Sequence, residues 1–478
     1  MSRKLFKDVS ASTFQVIITQ VLGMIVFLLT SFYLPKESYG ELNWSFAIFT
    51  FTNTLLSLRL EQIVVKRSAT EKDSSKIMTL FLLHVLSAGT GFYLLLFLLK
   101  LIFPSFFTTH SLLLIVGISQ LLSFISSPFK LIANGKERFD YLAIMSSTGN
   151  LVRVILLVFI LLFFHIDIQG VLIIFIISSF IELAVCFFIV TYVMKIPLSP
   201  DIHFDDYRTL LKQSLPQIGA AILMAGIGRM DWIFLGLFST SSTTAEYSFA
   251  YRVYELSPFP LLIIAPVILT RFSKYFAANT ERSLLKKTEL SLLIRAEMIA
   301  ATLIPLVLNI IWTPAIDSLT GNKYGKVNQY TFLILSLCIP FQYITNIIWS
   351  AHFAQDRLKL IFKITTFTFC IILAGDLLFI PLWGAKGAAL VFLTAIIAEY
   401  INYMRSSELS KIKETWQSLF TCLAIAVASG FCGVYFFDTA WLRLLVVLPL
   451  FFLLLLATRQ LRIHDITFVL QLVRKKKD

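Results

Sequence analysis

Four charged residues lie inside two successive apolar runs: Arg229 and Asp231 in one, Arg252 and Glu255 in the next. A charge near the centre of a bilayer costs about 2.5–3.5 kcal/mol on insertion scales, and it normally faces a cavity or a partner. Two guanidiniums at one depth could line a polar cavity and face an anionic substrate. Arg252 and Glu255 are three apart and share a helix face, whereas Arg229 and Asp231 are two apart and point different ways. The same residues could also form a salt-bridge network that only holds helices together, and both readings stay open at this point.

A second constellation lies earlier in the chain. Arg153 and Glu182 occupy adjacent apolar runs, roughly 16 and 18 Å from the same end at 1.5 Å per residue. They read first as a buried ion pair, and second as a cationic cavity site with Glu182 as a coupling-ion site. Asn150 shares the face of Arg153. Gln15 and Thr19 share a face of the first run and suit helix packing or cavity lining. Asp376, Glu297 and Asn346 read as lone polar groups that pair locally or serve as ion sites. The six histidines are scattered without an HExxH pattern, and no GxxxxGK[ST] loop is present. No enzyme, cofactor or metal site is therefore expected.

These side chains need helices to place them in a membrane. The 478 residues are 57% hydrophobic and 14% charged, with 45 phenylalanines and a mean hydropathy of +0.81. Soluble domains carry about 25% charged residues, so this balance points to a bilayer as the solvent. Fourteen runs are long enough to span, at 10–34, 42–60, 77–103, 111–133, 142–164, 168–194, 215–238, 248–271, 290–313, 330–353, 360–381, 386–403, 417–437 and 440–458. With the N-terminus inside, the cytoplasmic segments hold 30 of the 41 Lys and Arg, and the opposite segments hold 6. That bias satisfies the positive-inside rule and places both termini in the cytoplasm. It also explains the net charge of +13 without nucleic acid. The five cysteines lie within apolar runs and form no metal or redox spacing.

The fold expected is an all-α polytopic membrane protein of about 14 transmembrane helices. An N-terminal lobe spans 1–200, and 201–214 form an amphipathic cytoplasmic linker. A C-terminal lobe spans 215–404, and 405–478 hold two further helices and a basic tail. A repeat supports the two lobes. Gly170 and Gly387 lie 217 residues apart, as do Glu182 and Glu399, and NGKERF at 134–139 echoes FAQDRL at 353–358. Matching loops fall on the same side, so the repeat is parallel.

Four stretches carry a family resemblance: LPKESYGELNWSFAIF, LKQSLPQIGAAI, MDWIFLGLFSTSSTTAEYSFAYRVYE and WGAKGAALVFLTAIIAEY. With the helix count, they make the chain resemble the polysaccharide (O-antigen type) flippases of the multidrug/oligosaccharidyl-lipid/polysaccharide exporter superfamily. The resemblance implies two six-helix lobes around a cavity with alternating access, in the bacterial inner membrane. It implies an undecaprenyl-pyrophosphate-linked oligosaccharide as substrate, with polysaccharide polymerase machinery as a candidate partner. Arg229, Arg252, Arg153, Gln15 and Asn150 are then the candidate substrate residues. Asp231, Glu255, Glu182 and Asp376 are the candidates for proton or sodium coupling. A multidrug antiporter or a peptidoglycan-precursor flippase of the same superfamily is the alternative. A sugar polymerase fits less well, because it would need a long external catalytic loop.

Overall fold

The structure is a computed structural model that describes residues 3–70, 74–258, 260–261, 268, 272, 287–407 and 413–462. The described residues are helical, with no strand among them. Among the described residues, eleven helices are long and apolar enough to cross a membrane. The chain is a multi-pass membrane protein, and it divides into two compact units, Met1–Ala245 and Glu246–Asp478.

The first unit contains α1 (Arg3–Tyr33), α2 (Lys36–Leu56), α3 (Leu60–Thr70), α4 (Ser74–Ile102), α5 (Pro104–Thr109), α6 (Leu112–Gly135), α7 (Phe139–Phe163), α8 (Ile168–Phe188) and α9 (Phe204–Phe238). A π-turn at Ile189–Val193 follows α8. The division falls inside α10 (Ser241–Leu256). The second unit contains α11 (Lys287–Thr320), α12 (Gly325–Ser336), α13 (Cys338–Ala354), α14 (Leu358–Ser406), α15 (Lys413–Phe436) and α16 (Ala440–Ala457).

Several expected boundaries move, each for a local reason. The second helix stops at Leu56 because Leu58 and Arg59 take positive φ, at 48° and 58°. Arg59 therefore sits in a turn rather than in the helix. The cytoplasmic segment expected at 61–76 folds instead into the short helix α3, which buries Leu60, Ile63 and Val64. The run expected at 330–353 is two helices broken at Leu337. Pro340 has no N–H for the Ser336 carbonyl, so the ladder fails one turn before it. The runs at 360–381 and 386–403 form one hairpin, α14, which turns at Gly384 with φ 53° and ψ −129°. A side chain strongly disfavours that conformation, and Gly384 has none. The two arms pack closely, since a Cβ on Gly375 would lie 2.6 Å from the Val391 side chain. Beyond Pro258, most of the run expected at 248–271 lies outside the described residues, as does the basic tail from 463.

The expected linker at 201–214 is a correction. Residues 204–213 are the first turns of α9, which continues unbroken for 35 residues to Phe238. The boundary between units lies at Ala245/Glu246 rather than near 200, because α9 packs on the first unit at both of its ends. At its start, the Tyr207 hydroxyl meets His84 Nδ1 at 2.8 Å, and Lys76 pairs with Asp206 at 2.7 Å. His84 Nε2 lies 2.7 Å from the Leu56 carbonyl. A carbonyl can only accept, so Nε2 carries the proton and Nδ1 accepts from Tyr207. One neutral imidazole thus ties α4 to α9 and satisfies an orphan carbonyl at the end of α2.

At the far end of α9, the Trp44 indole N–H donates to the Ile233 carbonyl at 3.0 Å. A Cβ on Gly236 would fall 1.8 Å from the Trp44 ring, and one on Gly40 would fall 1.8 Å from the Ser241 carbonyl. Both glycines are there because two backbones meet. His110 stacks on Trp44 with 4.0 Å between ring centroids. Burial pushes the His110 imidazole below its ordinary value.

In the second unit, Trp312 stacks on Phe332 at 3.8 Å and donates its indole N–H to the Gly325 carbonyl at 2.9 Å. The Asp317 carboxylate accepts from the Gly325 and Lys326 N–H groups at 2.7 and 3.0 Å. These are orphan donors at the start of α12, so a carboxylate eight residues away caps that helix.

Candidate functional site: a cationic network within the first unit

Three helices in the first unit present polar faces to one another. Ser123, Ser126 and Lys130 follow helical spacing on α6, as do Asn150 and Arg153 on α7, and Ser178, Ser179 and Glu182 on α8. Residues three or four apart share a face, so each helix contributes one polar stripe in an otherwise apolar surface. Gly149 lets α7 come close, since a Cβ there would sit 2.1 Å from Glu182 Oε2.

The Glu182 carboxylate is 6% exposed and is held by the Lys130 ammonium and by the Ser126 hydroxyl at 3.4 Å. The ion pair expected between Arg153 and Glu182 is thus replaced by Lys130–Glu182. Lys130 lies near the end of the run expected at 111–133, and α6, continuing to Gly135, carries it to the carboxylate. A long apolar stem lets lysine lie in a helix and still reach a carboxylate, and hydropathy alone does not reveal which way it reaches. Its position four residues after Ser126 was the only sequence signal.

Arg153 instead meets neutral oxygens. Its Nε donates to Ser178 Oγ at 2.9 Å, one Nη to Asn150 Oδ1 at 3.1 Å and the other to Ser179 Oγ at 3.1 Å. Its guanidinium lies 4.6 Å above the Phe175 ring. Asn150 in turn donates to the Thr19 carbonyl on α1 at 3.4 Å. Three donors are oriented to neutral oxygens and the ring face supports the plane, while Glu182 acts on the guanidinium through its field rather than a direct ion pair. Lys130, Arg153 and Glu182 together carry one net positive charge. A part-buried, pre-positioned guanidinium of this kind can bind an anion in bidentate fashion.

The remaining candidates sit elsewhere. Gln15 is half-buried on α1, and its carbonyl accepts from the Thr19 hydroxyl at 2.8 Å. On α9, Arg229 donates to the Gly228 carbonyl at 2.8 Å and lies 5.1 Å from the Trp232 ring centroid. Asp231 is 1% exposed and accepts from the Trp232 N–H. Arg252 pairs with Glu255 at 2.8 Å, the i,i+3 pairing that their spacing allows. Arg229 and Asp231 belong to the first unit, whereas Arg252 and Glu255 belong to the second. Asp376 is buried in the first arm of α14. A separate cavity of about 340 Å³ lies among α11, α12, α13, α15 and α16, with Leu306, Phe431 and Val434 in its walls and Thr302, Asn309, Ser336 and Arg443 as its polar members. No group of three or more His, Cys, Asp or Glu among the described residues could hold a metal ion.

The sequence pattern of a family described as polysaccharide biosynthesis protein matches residues 5–276. The chain belongs to that family. Solved structures with the same fold extend the likeness. One is the lipid II flippase MurJ in an inward closed conformation, 17% identical with a TM-score of 0.69, covering 93% of this chain and 97% of that one. A second is an inward-facing multidrug resistance MATE family transporter of the MOP superfamily, 14% identical with a TM-score of 0.66, covering 85% and 99%. A third is a MOP superfamily transporter from Pyrococcus furiosus whose binding pocket is described as having reverse polarity, 13% identical with a TM-score of 0.56, covering 87% and 96%. No curated protein sequence matches the chain. This polysaccharide biosynthesis family member thus has the helical fold of the MOP transporters, as its sequence led one to expect.

Proposed function

We propose that this protein is a flippase for anionic lipid-linked sugars. Its substrate is an undecaprenyl-pyrophosphate-linked oligosaccharide, carried from the cytoplasmic to the periplasmic leaflet by alternating access, for surface polysaccharides such as O-antigen or capsule. The observation that carries this reading is Arg153. A guanidinium is held inside a membrane-spanning unit by three neutral oxygens, while the one carboxylate of the network is taken by Lys130. Such a site favours an anion over a cationic drug, and pyrophosphate offers the paired oxygens that a guanidinium fork matches. Arg229 and Arg252 are secondary contributors, with Arg252 paired to Glu255. The apolar cavity beside α15 and α16 suits a lipid chain. The bias of basic residues to alternate segments supports cytoplasmic termini in a bacterial inner membrane. Delivery to the outer leaflet would supply a polysaccharide polymerase.

The test is deletion of the gene in its host, followed by measurement of lipid-linked oligosaccharide in each leaflet. Accumulation on the cytoplasmic side, cleared by wild type and not by Arg153→Ala, supports the flippase and its site. Clearance by both versions removes Arg153 from the site. Increased drug susceptibility without accumulation moves the protein to the multidrug branch, and accumulation of peptidoglycan precursor moves it to that substrate.

A further inference from the structure

We propose that Glu297 in the second unit is a proton-carrying site, which rests on the transporter reading above. Glu297 lies on α11 and is 2% exposed. Both of its carboxyl oxygens are buried and neither has a hydrogen-bond partner. The other acids with a ready charge partner differ in kind: Glu182 has Lys130 and Glu255 has Arg252.

The neighbours offer Glu297 no compensation. Helices α12, α13, α15 and α16 pack against α11. Tyr343 on α13 interacts electrostatically with Glu297, but its hydroxyl donates to the Ser257 carbonyl at 3.3 Å. That proton is therefore committed elsewhere. Arg295, two residues before Glu297, directs its guanidinium to the Ser291 and Arg459 carbonyls at 3.4 and 3.3 Å. Cys338 on α13 and Cys422 on α15 are buried thiols. His352 lies in the last turn of α13 with its ring 5.9 Å from that of Tyr403. Arg443 on α16 donates to the Phe437 carbonyl at 2.7 Å.

An ionised carboxylate in this setting would pay a desolvation cost of several kcal/mol with nothing to offset it. Glu297 is therefore a neutral acid in this conformation. A purely structural role would not need an acid here, because an apolar or amide side chain of similar shape fills the space at lower cost. Intramembrane acids of this kind mark ion and proton pathways. Pro305 and Pro314 interrupt the ladder of α11, so the helix can bend without losing further hydrogen bonds. When the seam around Glu297 opens to water, the carboxylic acid passes its proton to a water molecule and leaves a carboxylate. Closing the seam requires a proton to be taken up again. One proton thus moves for each cycle of opening and closing.

The full-length protein in lipid vesicles tests this in two ways. In infrared titration, wild type carries a protonated carboxyl C=O band at neutral pH that Glu297→Gln lacks; an unchanged band in the variant overturns the proposal. For transport, the probe is a short-chain polyprenyl pyrophosphoryl N-acetylglucosamine. With one proton per cycle, a gradient of about one pH unit shifts its distribution across the membrane about tenfold. Glu297→Gln abolishes that shift and Glu297→Asp keeps part of it. A shift that survives in Glu297→Gln overturns the proposal. Should Glu297→Gln not fold, the Glu297→Asp carboxyl band decides: a moved band supports the site and an unmoved band refutes it. Failure of wild type to move the probe at all counts against the flippase reading, while the infrared result still decides the proton site.

Discussion

The Lys130 ammonium is bonded to the Glu182 carboxylate, from one face of α6 to one face of α8. That pairing leaves Arg153 without a direct ion pair, and its donors go to Ser178, Ser179 and Asn150. The consequence is a single uncompensated cation in a network that would otherwise be neutral.

Arg153→Lys keeps the charge but cannot satisfy three acceptors arranged for a planar fork. Unmade hydrogen bonds to buried partners cost about 1–3 kcal/mol, so both transport and stability fall. Arg153→Ala removes the anion site, and transport of the pyrophosphate probe drops by at least about tenfold, equal to roughly 1.4 kcal/mol. Initial rates in vesicles at matched protein levels check this.

Lys130→Ala strands Glu182 as a buried charge. Breaking one partner of such a pair costs about 3–5 kcal/mol. The double variant Lys130→Ala with Glu182→Gln restores most of that loss, because the stranded charge is gone. Thermal unfolding of the four proteins in one detergent gives the double-mutant cycle.

Gly236→Ala puts a methyl into the Trp44 ring, which Gly236 now approaches without one. Overpacking of this sort costs about 1–3 kcal/mol. In a Trp44→Ala background the same change costs little, since the obstructing ring is absent. Comparing melting temperatures of the single and double variants tests whether this contact joins α2 to α9.

His110 supplies a pH dependence. Burial lowers its basicity in the folded protein, so the unfolded chain binds the proton more readily. The contribution of a neutral His110 is complete above the unfolded value near 6.5 and is lost as pH falls towards the folded value. Stability therefore declines on acidification through that window, and His110→Phe, which retains the stack on Trp44, flattens the decline. Melting temperature against pH for the two proteins provides the check.

Hydropathy and basic-residue bias sufficed to read a many-spanning helical membrane protein from the chain, because both quantities are local sums that do not depend on tertiary packing. The resemblance carried by LPKESYGELNWSFAIF and its companions led to the correct family for the same reason. Helical spacing also placed Arg252 beside Glu255 and Asn150 beside Arg153. The pairing of Lys130 with Glu182, the close approach of Gly236 to Trp44 and the isolation of Glu297 were decided only in three dimensions. Each depends on the rotation of one helix about its axis relative to another. That rotation is set by the packing of whole faces, and the one-dimensional pattern leaves it free.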